Sequence, residues 1–270
     1  MVHHEYLRMT KKKWGQNFLI NPNVIESIIK IAKVKIGDEI IEIGPGSGNL
    51  TQALLDQQSF VKAIEIDTKW CKYLTNRFKK EKKFTLLEMD VMKIPLINFS
   101  KLVPGPSKII ANLPYNIATQ LLLKMLPIRK TWESMTLMVQ KEVAERICAK
   151  PNSGKTFGAL SLVGKLGFDR EIISIIPPNN FSPEPKVDSA IINLFPKDSE
   201  LSLESEKLFL KWSQLLFQQR RKTLVNGIRK HYPEWYLRQG RSIHKNFGMR
   251  RPETLGFKDW MRLFNNFLNN

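Results

Sequence analysis

The sequence predicts an α/β fold with a parallel sheet, followed by a small helical domain, and three observations carry that expectation. The apolar run Glu39-Ile40-Ile41 enters a turn, Glu42-Ile43-Gly44-Pro45-Gly46-Ser47-Gly48, that opens into the helix-competent stretch Asn49 to Leu55. Short apolar runs then alternate with amphipathic ones as far as Gln140, the signature of strands joined by helices. From Lys197 the period becomes helical, and this part of the chain carries 15 Lys and Arg against 7 Asp and Glu.

Taken in order, residues 1 to 14 are polar and basic, with Lys11, Lys12 and Lys13 before Trp14, and read as an arm able to touch RNA. Gly15 to Ile20 is an extended apolar lead-in whose Asn17 can turn a polar group inward. Asn21-Pro22 then caps an amphipathic helix to about Ala32. In the central turn, glycine removes the Cβ that would keep a ligand off the backbone, so each of Gly44, Gly46 and Gly48 is expected to widen a floor for a small molecule. The spacing lacks the third glycine of a dinucleotide fingerprint and the lysine of a P-loop, so no phosphate cradle is predicted. Acidic-x-Gly-x-Gly-x-Gly instead resembles the first motif of class I S-adenosylmethionine methyltransferases.

The next strand, Phe60 to Asp67, carries Glu65, 21 residues after Gly44, where a carboxylate can accept bonds from both hydroxyls of an unphosphorylated ribose. Phe84 to Asp90 reads as the third strand, and Asp90 at its carboxyl end is placed either to accept an adenine amine or simply to shape a loop. A fourth strand, Lys108 to Asn112, runs into Asn112-Leu113-Pro114-Tyr115. Pro114 holds Leu113 extended, so the Leu113 carbonyl and the Asn112 side chain offer two acceptors matched to an exocyclic amine, with the Tyr115 ring as a stacking surface. Trp132 to Gln140 is a further strand before a helix, and Gly154-Lys155-Thr156 lacks the upstream glycine of a P-loop. Residues 166 to 176 and 187 to 195 alternate as strands around a loop with four prolines, expected to hold Phe181 at its tip opposite Tyr115. Helices follow over 203 to 218, 224 to 230 and 257 to 267, with Trp212, Trp235, Tyr236 and Trp260 interleaved among the basic residues. The boundary is placed at 197, giving a first domain of 1 to 196 and a second of 197 to 270.

Composition narrows the partner. With 43 Lys and Arg against 25 Asp and Glu the formal charge is +18, which points to a polyanion. Two cysteines, Cys71 and Cys148, exclude a disulfide framework and suggest a reducing compartment. No stretch nears the roughly 18 apolar residues of a membrane span, and the start is too polar for a secretory signal, so a cytoplasmic protein is expected. The four histidines lack ligand spacing, and no metal site is predicted.

Gly15-Gln16-Asn17-Phe18-Leu19, Glu42 to Gly48, Glu65, Asp90, Asn112 to Tyr115, Asn180 to Ser189 and Gln219-Arg220-Arg221-Lys222-Thr223-Leu224 together resemble the small-subunit ribosomal RNA adenine dimethyltransferases, the KsgA or RsmA family. The resemblance spans nearly the whole chain. It implies a class I, Rossmann-like fold with a seven-stranded sheet and a helical C-terminal domain that helps grip rRNA through residues such as Arg220, Arg221 and Lys222. It also implies transfer of two methyls to N6 of each of two adjacent adenosines near the 3′ end of small-subunit rRNA. Carried over, Asn17, Leu19, Gly44, Gly46, Glu65 and Asp90 contact S-adenosylmethionine, Asn112 joins cofactor and target base, and Tyr115 and Phe181 sandwich the adenine. Leu113 and Pro114 complete the base-binding motif. The small ribosomal subunit is the implied partner, and a monomer is expected. Two alternatives stay open: a large-subunit rRNA adenine methyltransferase of the macrolide-resistance type, and a non-catalytic ribosome assembly factor.

Overall fold

The structure is a computed structural model and describes residues 17–99, 101–102, 105–115 and 117–269. By its internal contacts the chain divides into two compact units. The first comprises residues 1–144 and 168–197, and the second 145–167 and 198–270. The second unit therefore begins close to the expected boundary at 197 but also takes in Glu145–Gly167, a segment assigned from the sequence to the first domain. The reason is visible in its bonds. The loop carbonyls of Gly154, Lys155 and Phe157 all accept from Arg220, and Asn152 donates to the Glu253 carbonyl.

In the first unit the elements run β1 (Phe18–Leu19), α1 (Pro22–Ile31), β2 (Glu39–Ile43), α2 (Asn49–Asp56), β3 (Phe60–Glu65), α3 (Thr68–Arg77), β4 (Phe84–Glu88), the short α4 (Leu96–Phe99), β5 (Ser107–Asn112), α5 (Ala118–Met125) and β6 (Trp132–Gln140). Helix α6 (Lys141–Cys148) leads into the second unit, where α7 (Ala159–Gly167) lies, and the chain returns as β7 (Phe168–Ile176), β8 (Phe181–Ser182) and β9 (Ser189–Pro196). One seven-stranded sheet has the order β4-β3-β2-β5-β6-β9-β7. Its pairs are parallel from β4 to β6, and β9 is antiparallel to both β6 and β7.

Strand β2 is central because Ile40, Ile41 and Ile43 are apolar on both faces, as a strand covered by helices on each side requires. Its neighbours β3 and β5 lie on opposite sides, so the connections leave β2 and β5 in opposite directions and open a crevice at their carboxyl ends. Beneath it, Ile40, Val61 and Ile110 pack with Ile28 of α1, Leu54 of α2, and Leu74 and Phe78 next to or within α3. Helix α1 starts where the sequence places it, with the Asn21 side chain accepting from the Asn23 amide and Pro22 in the first turn.

The second unit adds α8 (Leu203–Phe217), α9 (Leu224–His231), α10 (Pro233–Phe247) and α11 (Phe257–Leu268). Helices α7 and α10 were not read from the sequence. Its core is aromatic: Trp212 packs edge-on against Trp260 at 5.6 Å and against Trp235 at 6.3 Å, with Phe209 and Phe264 alongside. The tryptophans interleaved among basic residues are therefore buried core residues and not an exposed stacking surface.

Candidate active site

The carboxyl ends of β2, β3 and β5 and the turn after β4 surround a cavity of about 310 Å³, within the range of small-molecule sites. Asn17, Leu19, Gly44, Gly46, Glu65, Asp90, Asn112, Leu113, Pro114 and Tyr115 all line it. Residues from Asn17 to Tyr115 thus meet at one void.

The three glycines divide the work. At Gly44, φ is +68° and a Cβ would meet only the Pro114 ring, at 3.8 Å, so this glycine leaves backbone open to the cavity. At Gly46 a Cβ would lie 2.5 Å from the Phe18 ring, and at Gly48 one would lie 2.8 Å from Leu74 and 2.9 Å from Phe78. The expectation that each glycine widens a ligand floor is corrected: Gly46 lets β1 dock, and Gly48, at φ +76°, starts α2 against α3. Phe18 in turn packs on Trp70 at 4.8 Å, and the Asn49 side chain donates to the Leu19 carbonyl, which fixes the lead-in strand over the turn.

Two buried carboxyls face this cavity. Glu65, 4% exposed, accepts from the Ile66 and Asp67 amides at Oε1 and from the Gly46 amide at Oε2. Burial raises its pKa, opposed by these three backbone bonds. A carboxylate has about four acceptor sites, so Oε2 keeps capacity for one more donor, fewer than the free carboxylate expected for two ribose hydroxyls. Glu42, 1% exposed, accepts from the Thr51 hydroxyl at 2.6 Å, and burial pushes its carboxyl up to about 8, with the Thr51 bond lowering it and the Glu65 charge raising it. The sequence motif gives Glu42 no role of its own; an acid set between the apolar Ile41 and Ile43 of the central strand is the signal that marks it. Asp90 uses Oδ1 to accept the Met92 amide at 2.8 Å, so it shapes its turn and lines the cavity at once.

On the β5 side, Asn112 Nδ2 donates to the Asn17 carbonyl at 3.0 Å, so the amide's oxygen is the atom left as acceptor. The Leu113 amide donates to the Met138 carbonyl, anchoring the strand end to β6. Tyr115 is half-buried and its hydroxyl lies 2.8 Å from Ser189 Oγ, on a residue with no exposure at the start of β9. Burial raises the Tyr115 pKa, against the Ser189 bond.

Phe181 departs from expectation. It is 2% exposed, does not line the cavity, and sits in the core with Ile25, Ile176 and Ile191. The proline-rich segment is not a loop with an aromatic tip: it contains β8, whose Phe181 pairs with Leu19 of β1, and that pairing turns the ring inward. Asn21 Nδ2 donating to Asn180 Oδ1 at 2.7 Å holds the same junction. Lys11, Lys12 and Lys13 lie outside the described residues. Arg220, expected to touch RNA, has its guanidinium engaged within its own unit: it donates to three carbonyls of the 154–157 loop and lies 3.8 Å from Glu253. Arg221 and Lys222 are exposed.

Residues 8–263 match the family of ribosomal RNA adenine dimethylases. The chain belongs to that family. It is 40% identical over 81% of its length to the ribosomal RNA small subunit methyltransferase A of Clostridium botulinum (strain Okra / Type B1), covering 79% of that protein. It is 36% identical over 98% of its length to the protein of the same name from Lactobacillus helveticus (strain DPC 4571), covering 94% of it. Among solved structures, a dimethyladenosine transferase from Plasmodium falciparum superposes with a TM-score of 0.73 at 26% identity, over 93% of this chain and 98% of that one. The 23S rRNA methyltransferase ErmE superposes with a TM-score of 0.68 at 23% identity, a likeness of fold. The family's activity, dimethylation of rRNA adenine with S-adenosylmethionine as methyl donor, is accordingly the activity of this chain. The site suits that donor: Gly44 leaves backbone open to the cavity, and Glu65, bonded by three backbone amides, keeps an acceptor position for a molecule that carries no pyrophosphate. Among the described residues no cluster of His, Cys, Asp and Glu has the makings of a metal site, and no helix is long and apolar enough to cross a membrane.

Proposed function

We propose that the protein dimethylates N6 of two adjacent adenosines near the 3′ end of small-subunit rRNA, and that the cavity between β2 and β5 is where it does so. The observation that carries this reading is the convergence of Gly44, Glu65, Asp90, Asn112 and Tyr115 on one void. Gly44 presents backbone to the donor, Glu65 Oε2 takes one ribose hydroxyl, and Asp90 takes the donor's adenine amine. Bound S-adenosylmethionine supplies a methyl on a positive sulfur, an electrophile that needs no further activation.

Orientation of the amine is then the main task, because the N6 lone pair is delocalised into the purine ring. Asn112 Oδ1, fixed by the Nδ2 bond to Asn17, and the Leu113 carbonyl accept the two N6 hydrogens and draw the nitrogen toward a tetrahedral shape, which localises its lone pair. Tyr115, held by Ser189, supports one face of the base. As the N6–carbon bond forms and the carbon–sulfur bond breaks, N6 becomes cationic, so acceptors aimed at it stabilise the transition state more than the ground state. The proton then leaves N6 for water. In the second transfer only one hydrogen remains, and one of the two acceptors loses its partner. The near-whole-length likeness to small subunit methyltransferases supports the small subunit as substrate.

The test is incubation with labelled donor and unmodified small or large ribosomal subunits, followed by nucleoside analysis. Dimethyladenosine from small subunits alone is the expected outcome. Label in large subunits would move the substrate to that particle, and tight subunit binding without label would leave an assembly factor.

A further inference from the structure

The helical unit carries a side-chain cluster that the catalytic reading does not use. On α10, Tyr236, Gly240 and His244 recur at four-residue intervals and so lie along one stripe of the helix. The Tyr236 hydroxyl stands 3.0 Å from His244 Nε2 and accepts from Arg229 of α9 at 2.9 Å, while the Arg229 guanidinium lies 4.9 Å from the Tyr236 ring centroid. Gly240 leaves room for this: a Cβ there would meet the Tyr236 ring at 3.2 Å and push it aside by a few tenths of an ångström. Arg229 and His244 are exposed, and Arg241 and Lys245 occupy the adjoining stripe, also exposed. Among the described residues no salt bridge ties Arg229, Arg241 or Lys245 to a carboxylate, and Glu234 is the one acid between residues 224 and 251.

We propose that Arg229, Tyr236 and His244 form a preorganised site for the phosphodiester backbone of structured RNA, a reading that rests on the rRNA substrate proposed above. Arg229 can only donate, so the Tyr236 oxygen is the acceptor in that bond, and its own hydrogen goes to Nε2 when the imidazole carries its hydrogen on Nδ1. That arrangement leaves Nδ1–H of the imidazole and the other guanidinium hydrogens as donors, held at a set separation by the tyrosine between them. A phosphate presents several anionic oxygens and accepts from both at once. Ordinary surface arginines must lose rotamer freedom on binding; this one is already restrained by a ring and a hydroxyl. The exposed cations beside it extend the field along the helix, as a nucleic-acid strand requires.

The experiment measures affinity for a transcript of the small-subunit rRNA 3′ domain at several salt concentrations, together with Tm, for the full chain and four variants. Arg229→Gln is expected to weaken binding about tenfold at low salt and to reduce the slope of log affinity on log salt by about one. His244→Asn is expected to weaken it about threefold, and Gly240→Ala, which keeps every charge and displaces only the ring, by a similar factor. Lys82→Gln, the same loss of charge on an exposed residue of the other unit, is expected to change affinity less than twofold. Unchanged RNA affinity in Arg229→Gln and His244→Asn with a lowered Tm would make the cluster a staple between helices and overturn the proposal, as would an equal loss in Lys82→Gln. Because binding is read without methyl transfer, an Arg229 effect in a protein that leaves small-subunit RNA unmethylated keeps this site and sinks the functional reading. Methylation with no Arg229 effect does the reverse.

Discussion

The turn after β2 and the basic run before α9 were both singled out from the sequence, and the structure treats them differently. Around the turn, ten of the residues expected at the site converge on the cavity. In the basic run, Arg220 faces its own unit while Arg221 and Lys222 face solvent. The difference lies in what each signal constrains. A glycine at a fixed place after a buried strand restricts backbone geometry, and few environments satisfy it. A positive charge restricts only a sign, and a carbonyl-rich loop satisfies an arginine as well as a phosphate does.

The largest effect bears on the cavity side of this contrast. Asn112→Ala removes the oriented acceptor and is expected to lower single-turnover methyl transfer by a factor on the order of 10² or more, with little change in donor binding by calorimetry. Near-normal turnover would remove Asn112 from the chemistry and reduce the convergence to a shared crevice. The glycines sharpen the point. Gly46→Ala drives a Cβ into Phe18 and adds a left-handed alanine, an expected cost of about 2–4 kcal/mol in denaturant unfolding. Gly44→Ala meets no close protein atom, so its stability loss is expected near 1–2 kcal/mol and its main effect is a loss of donor affinity. Equal stability losses would mean that the two glycines do the same work.

Legibility followed the same division. The parallel core was readable because Ile40-Ile41, Ile109-Ile110 and their neighbours are apolar on consecutive positions, which only a doubly covered strand explains. Helix α10 was not, because Pro233 and the basic residues along it mask a period that shows only at Trp235, Ile243 and Phe247. Glu145–Gly167 falls with the second unit by its contacts, and the bonds that accompany this, from Arg220 and to the Glu253 carbonyl, join distant residues and leave no local pattern. Phe181 was placed by its prolines, which predict stiffness but not the facing of a ring; pairing with β1 decided that.

Glu42 offers a test of the cavity's electrostatics. Its folded pKa of about 8 lies above the ordinary carboxyl value of 4.5, so the folded protein holds a proton that the unfolded chain releases. Stability is fullest below the unfolded value and is lost as pH rises through that window to the folded one, by at most about 1.4 kcal/mol per pH unit. Glu42→Gln is expected to flatten this slope between pH 6 and 8 in urea midpoints; an unchanged slope would assign the pH dependence elsewhere. On the basic run, Arg220→Gln is expected to cost about 1–3 kcal/mol of stability through its lost carbonyl bonds. The double change Arg221→Gln with Lys222→Gln is expected to leave Tm alone and lower the salt dependence of RNA affinity. The opposite assignment of effects would restore charge as a guide to contact.

The smallest effect concerns a residue that neither kind of signal reached. Ser189 has no exposure, belongs to a strand edge shared by β6 and β7, and meets the cavity only through its bond to Tyr115. Removing one hydroxyl from a half-buried pair costs about 1 kcal/mol at most, since water can reach the tyrosine. If the bond matters by fixing the ring against a base, Ser189→Ala and Tyr115→Phe lose the same few-fold in kcat/KM for rRNA, the double variant loses no more than either, and donor affinity stays put. Additive losses would show the two hydroxyls acting separately. A silent pair beside a crippled Tyr115→Ala would show that the ring is held by packing alone, as Phe181 is, and that a buried serine at the right distance can be as poor a guide to function as an exposed arginine.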